Sequence, residues 1–150
     1  MAAIENHLIE LLPRRERQRL LAQCESVRLV LSDVLYEPGK PTRYVYFPTD
    51  GFISLVAEAD GKHGVEVGMV GREGMLGVQL ALGVNAAPLH ALVQGPGVAW
   101  RISAGAFRTE LAQSLPLQRC LGRYAYVLMD QLAKASACIR FHQVGPRLAR

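Results

Sequence analysis

Gly71, Gly74 and Gly77 stand three residues apart, and the 27 residues from Gly74 to Trp100 contain no Asp, Glu, Lys or Arg. Glycine at each position lets the chain pass close to a second backbone or to a bound anion. The apolar residues after Gly77 are expected to open a short helix whose unpaired N–H groups face whatever sits there. The chemistry this implies is binding: a ligand cradle.

Patterns for catalysis are weaker. The three glycines do not make GxGxxG and no GK[ST] follows them, which removes the dinucleotide and nucleotide-triphosphate loops. His7, His63, His90 and His142 are isolated, with no HxH pair, and of these only His90 falls on an expected strand, where a hydrogen-bonded structural role suffices. Ser54 and Ser103 lack GxSxG and an evident base. Cys24, Cys120 and Cys138 all fall in helical, largely apolar surroundings that suit inert thiols. Glu66 is expected to face solvent from its strand and Glu73 to sit in a turn beside Arg72, so neither makes an acid–base pair. The sequence assigns no catalytic residue, no metal ligand and no cofactor.

At 150 residues, half of them apolar and 20% charged, the chain can bury a core of its own and is not disordered. The formal charge of +4 suits an acidic partner but falls short of a dedicated nucleic-acid surface. Three scattered cysteines without a CxxC pair are expected in a reducing, cytoplasmic compartment. The start, MAAIENHLIELL, has none of the basic head and long apolar core of a secretory signal. Residues 74–100 are charge-free, but Gln79, Asn85, Pro88, His90, Gln94 and Pro96 break any membrane-spanning helix, so no membrane partner is expected.

The elements that must position the cradle follow from periodicity. Leu8, Ile9, Leu11 and Leu12, then Leu20, Leu21 and Cys24, mark one or two short amphipathic helices, the second starting near Pro13. From Val27 onward VRLVL, VLY, RYVYF, GFISLVAE, VEVGMV, HALVQ and GVAWRI read as seven short strands. Turn signals separate them: Pro38-Gly39, Thr49-Asp50-Gly51, Asp60-Gly61 and Gly95-Pro96-Gly97, with Asp60-Gly61 the clearest hairpin. Strands at this spacing predict a sandwich or barrel. Ser103 is placed to cap one helix, and Ser114-Leu115-Pro116 to start a longer one reaching about His142.

In that last helix Leu121, Ala125, Leu128, Leu132, Ala135 and Ile139 recur in steps of four and three, the spacing of a coiled-coil seam. A second stripe, Tyr124, Val127 and Leu117, is available to face the strands. The seam is therefore expected to pair two copies of the chain, the alternative being a helix that lies flat on its own barrel. Gly145-Pro146 then breaks the helix.

A helical start, a jelly roll around a glycine-rich turn and a long helix followed by a break resemble the cyclic-nucleotide-binding sensor domain of Crp/Fnr-type transcription regulators. The specific points are YEPGKPTRYVYFPTDGFISLV, VGREGMLGV, ISAGAFRTEL and VGPRLAR, which together span about His7 to Arg150. The resemblance implies a mainly β double-stranded β-helix over residues 1–115, a dimerisation helix over 116–143 and, at 144–150, the start of a DNA-binding domain. It implies an effector pocket at Gly74, Met75, Leu76, Gly77 and Val78 and, about ten residues on, Ala87, Pro88 and Leu89. DNA would be a partner only through the winged helix-turn-helix that follows in the family.

The departures are equally informative. Where members that bind cyclic AMP carry Gly-Glu, Arg-Ser and Thr-Ser, this chain has Gly77-Val78, Ala87-Pro88 and Leu132-Ala133. Each lost charge-assisted hydrogen bond costs about 1.5–3 kcal/mol. The expectation is a non-enzymatic sensor and dimerisation domain whose effector, if it has one, is not cyclic AMP. The Fnr-type iron–sulfur reading fails, because an amino-terminal cysteine cluster is missing. The alternative is a stand-alone cupin-like binding domain or metal-dependent enzyme.

Overall fold

The computed structural model describes residues 6–59, 61 and 63–141. Two short helices, α1 (His7–Glu10) and α2 (Arg14–Ala22), lead into β1 (Glu25–Leu29) and β2 (Val34–Tyr36). Next come β3 (Tyr44–Ala59), β4 (His63–Val70), a 3-10 helix (Val78–Leu82) and β5 (His90–Ser103). The chain closes with α3 (Ala104–Gln113) and α4 (Leu115–Phe141). All strands belong to one antiparallel sheet in the order β1-β5-β3-β4, with β2 also paired to β5, and the sheet rolls up as a jelly roll with the helices at its flank.

Two expected turns turn out to be bends inside strands. RYVYF and GFISLVAE are continuous in β3, and HALVQ and GVAWRI are continuous in β5, so five strands among the described residues replace the expected seven. Thr49-Asp50-Gly51 and Gly95-Pro96-Gly97 lie opposite each other in the β3–β5 ladder, whose register shifts between Pro48 and Ile53. A Cβ on Gly51 would run into the Gly95 carbonyl, and one on Gly97 into the Asp50 carbonyl. Glycine stands there because two backbones touch as the ladder bends, which is the work of a β-bulge and not of a loop.

Other signals hold. β3 and β4 pair from Ile53↔Val70 to Ala59↔His63, with Gly61 at positive φ between them. Ser103 Oγ accepts from the Ala106 amide and caps α3, and Ser114 Oγ accepts from the Leu117 amide at the start of α4. Asn6 caps α1 by accepting from the Leu8 and Ile9 amides.

Period-two alternation gives β3 two faces, and both are covered. Val45 and Phe47 pack with Leu8, Ile9, Leu20, Phe107, Leu117 and Leu121 in a core between sheet and helices. Tyr46 points the other way, into the roll, with Ile53, Leu55, Val70, Leu76, Ala91 and Val93. Leu128 of α4 touches both cores, so the long helix is seated on the domain over its first half.

Candidate functional site

The glycine-rich segment 71–77 is held on three sides through consecutive carbonyls. The Asn6 amide, itself fully buried, donates to Gly74 O at 2.9 Å and to Pro48 O at 2.8 Å. The Tyr124 hydroxyl of α4 donates to Met75 O at 3.2 Å. Leu76 exchanges both main-chain hydrogen bonds with Tyr46 of β3. The amino-terminal helix, the long helix and the roll therefore meet at three successive residues.

The glycines make room for side chains of this chain and not for a bound anion. A Cβ on Gly74 would fall inside the Tyr124 ring and hydroxyl. Gly77, at φ 110°, lies under the Tyr36 hydroxyl, which a Cβ would meet at 2.5 Å. Tyr36 donates to the Tyr44 carbonyl at 2.5 Å, and its burial beside Tyr46 pushes its phenol well above the ordinary value, so it stays neutral. The 3-10 helix after Gly77 forms as expected, with Gly77 and Gly83 left-handed at its two ends.

Below this segment lies a cavity of about 250 Å³. Met75, Leu76, Gly77 and Val78 form one wall, Pro88 and Leu89 a second, and Ala125, Leu128, Met129 and Leu132 of α4 a third. Leu55, Val70 and Leu82 complete the apolar lining. Its polar side chains are Tyr36, whose proton is already given to Tyr44 O, and Gln79, whose Nε2 donates to Thr42 Oγ1 at 2.9 Å. Among the described residues no charged one lines it.

Six of the eight pocket residues expected from sequence come together here: Met75, Leu76, Gly77, Val78, Pro88 and Leu89. Gly74 does not, because Tyr124 occupies its open side. Ala87 does not either. It is buried and turned to the neighbouring cavity of about 320 Å³ between β2 and the 37–43 loop. The residues sequence reasoning missed are the α4 wall and Tyr36. The α4 residues carry a heptad signal that reads equally well as an interface with a second copy.

That heptad needs correction. Leu121 is 1% exposed within the core of its own domain, together with Leu117 and Tyr124, and is closed to any partner. Ala125, Leu128 and Leu132 are half-buried against the cavity, and Leu132 also lies over Gly68 of β4. Ala135 is half-buried, and the side chain of Ile139 lies outside the described residues, as do residues 144–150. The expected inward stripe is right at Leu117 and Tyr124 but wrong at Val127, which is 47% exposed. The outward strip is shifted by one residue: Gly122, Tyr126, Met129, Ala133 and Ser136, again in steps of four and three, with Tyr126 66% and Met129 61% exposed.

Elsewhere, side chains of catalytic type are occupied structurally. Ser54, buried, donates to Glu66 at 2.6 Å, and His90 pairs with Glu58 at 2.7 Å. The Glu73 carboxylate accepts from the Gly71 amide. Cys24 lies just past α2 and not in a helix; burial, with Glu110 nearby, pushes its thiol up to about 12, and burial also raises Cys120. Among the described residues no three His, Cys, Asp or Glu side chains converge as metal ligands, and no helix is long and apolar enough to cross a membrane.

Residues 27–114 match the family described as the cyclic nucleotide-binding domain. Among solved structures, the c-di-GMP responsive global regulator CLP of Xanthomonas campestris superposes with a TM-score of 0.76 at 19% identity, over 92% of this chain and 70% of that one. The sensor domain of the transcriptional regulator DNR from Pseudomonas aeruginosa gives 0.61 at 20% identity, over 93% and 91%. The N-terminal domain of a transcriptional regulator from Streptomyces coelicolor A3(2) gives 0.64 at 16%, over 89% and 95%. At these identities the likeness is one of fold. No curated protein matches the chain.

Proposed function

The chain belongs to the cyclic nucleotide-binding domain family, and from that premise we propose that it is a non-enzymatic sensor module of a Crp/Fnr-type transcription regulator, responding to an uncharged, apolar molecule and not to a cyclic nucleotide. The observation that carries this reading is the lining of the cavity under Gly77. A cyclic phosphate bound there would meet Val78, Pro88, Leu89 and the leucines of α4, with no cation and no unspent hydroxyl. Desolvating an anion against such side chains leaves it without a charged partner for the water it loses. An aliphatic or alicyclic molecule gains about 25 cal/mol for each Å² of apolar surface it hides.

The cavity lies between the glycine segment and α4, so a ligand filling it bears on the helix directly. α4 also carries the proposed contact with a second copy, through the outward strip Gly122, Tyr126, Met129, Ala133 and Ser136. Met129 belongs to that strip and to the cavity wall, so occupancy and pairing share a residue. Specific recognition of DNA, in a regulator of this type, needs a domain that places an element in the major groove.

Calorimetric titration tests the ligand class. Cyclic AMP and cyclic GMP should give no heat at millimolar concentration. Nile red, a neutral apolar dye, should bind with a rise in fluorescence, be displaced by 1-decanol, and bind much less to Ala125→Leu, which fills the cavity. Micromolar binding of either cyclic nucleotide, or dye binding indifferent to Ala125→Leu, would overturn the reading.

A further inference from the structure

The second cavity, about 320 Å³ on the far side of Tyr36, differs in character from the first. Its walls carry three aromatic rings, Tyr36, Tyr44 and Tyr46, and the side chains of Lys40, Thr42 and Arg43. Tyr44 and Tyr46 stand edge to face with ring centroids 6.5 Å apart. An aromatic guest meets such rings favourably through the same offset and edge-on geometry.

Three charged residues line the cavity, Glu37, Lys40 and Arg43, and they do not balance. Glu37 is spent on Lys40 at 2.5 Å. Arg101 lies over the outer part of this wall, 4.2 Å from the Tyr44 centroid, and is committed to Glu25. The side chain of Arg43 has no hydrogen bond or ion pair among the described residues, so its guanidinium is the unpaired cation of the lining. Thr42, 6% exposed, accepts from Gln79 Nε2, which leaves its own hydroxyl proton to donate.

The loop that presents these groups is fixed in place. Gly39 donates to Ala87 O, Ala87 to Lys40 O, and Thr42 to Asn85 O, while Ala104 donates to Arg43 O at 2.8 Å. Gly39 adopts φ 80° to make the turn. Main-chain bonds on both sides of Arg43 fix its Cα before any ligand arrives, so the ordering cost of binding falls on the side chain alone.

We infer that this cavity is a second ligand site, separate from the apolar one, and that it takes a small aromatic anion, the ring between Tyr36, Tyr44 and Tyr46 and the negative group against Arg43 and the Thr42 hydroxyl. The anion can be a carboxylate or a phosphate ester, and the guanidinium fork accepts either in two-point fashion.

The test uses the whole chain with benzoate and phenyl phosphate as probes, and with benzamide and inorganic phosphate as controls, read by calorimetry at low salt. At least one aromatic anion should bind with a Kd of about 1 mM or tighter, the size expected for so few atoms. The tighter of the two identifies the anionic group. Arg43→Gln, at an exposed and unpaired position, should fold like the parent by circular dichroism and weaken binding at least about tenfold. Lys40→Gln should weaken it less. The inference is overturned if neither probe binds at ten times that concentration, if Arg43→Gln binds as the parent does, or if the probe that binds is matched by its own control, benzamide for benzoate or inorganic phosphate for phenyl phosphate. Binding abolished by Ala125→Leu but kept in Arg43→Gln would put the guest in the apolar cavity, and would also overturn it.

Discussion

The Tyr124 hydroxyl donates to Met75 O across a gap that only a glycine at position 74 leaves open. One tyrosine of the long helix thus reads the position of the segment that walls the apolar cavity. Gly74→Ala must displace that ring or the segment itself, a forced repacking that costs about 1–3 kcal/mol. Tyr124→Phe keeps the ring and loses one hydrogen bond, about 1 kcal/mol. Urea unfolding should rank them in that order below the parent; a Gly74→Ala variant as stable as the parent contradicts the contact.

The two strips of α4 predict opposite outcomes for the same kind of substitution. Tyr126→Glu with Met129→Glu should yield a monomer in sedimentation with an unchanged far-ultraviolet spectrum, because both side chains are exposed in a single copy. Leu121→Glu should instead unfold the domain, since an unpaired charge in the core costs at least about 3 kcal/mol. A parent that sediments as a monomer, or a folded Leu121→Glu variant that merely dissociates, would restore the unshifted seam or remove pairing altogether.

Asn6 should be among the costliest single positions. Asn6→Ala removes the cap of α1 and leaves the Pro48 and Gly74 carbonyls unpaired, a loss of about 2 kcal/mol or more. Asn6→Asp keeps the cap but sets a carboxylate against the same two carbonyls. It should be less stable than Asn6→Ala at neutral pH and recover as acid protonates it. Denaturant midpoints at two pH values check both statements.

Alkaline pH should weaken the fold. Burial raises the Tyr124 phenol from its ordinary 10.0 to about 12 and the Cys24 thiol from 9.0 to about 12. Tyr36 and Tyr46 move the same way, again through burial. The folded state holds these groups protonated, so their contribution is whole below the unfolded values and is lost as pH climbs from about 9 to 12. Urea midpoints should fall over that window, and Cys24 should react slowly with Ellman's reagent at pH 8. A flat profile, or rapid labelling at Cys24, would show that these groups are not held neutral by the fold.

Local chemistry made much of the architecture legible. Ser103, Ser114 and Pro13 mark helix starts because capping is decided within one turn, and Gly61 marks the β3–β4 connection because a glycine takes positive φ at no steric cost. The glycines at 74 and 77, with the apolar run after them, located most of the cavity wall, although the space they leave is filled by Tyr124 and Tyr36 and not by a guest. The exclusion of charge from residues 74–100 was readable as composition, and it keeps charge off the two cavity walls that this segment supplies, while Leu55, Val70 and α4 supply the rest.

What the tertiary structure alone decided was the facing of elements. In α4 the strips beginning at Leu121 and Gly122 have the same spacing and are both built from apolar and small residues, so periodicity cannot choose between them; packing of Leu117, Leu121 and Tyr124 on the roll does. Gly51 and Gly97 read as turns because a bend inside a ladder and a loop call for the same residue, and only strand pairing tells them apart. The cavity at Arg43 joins residues 34–46 to Ala87 across an interval that no local pattern spans. Facing and enclosure are long-range properties: they depend on which apolar surface is buried first by a partner distant in sequence, and a one-dimensional pattern does not contain that partner.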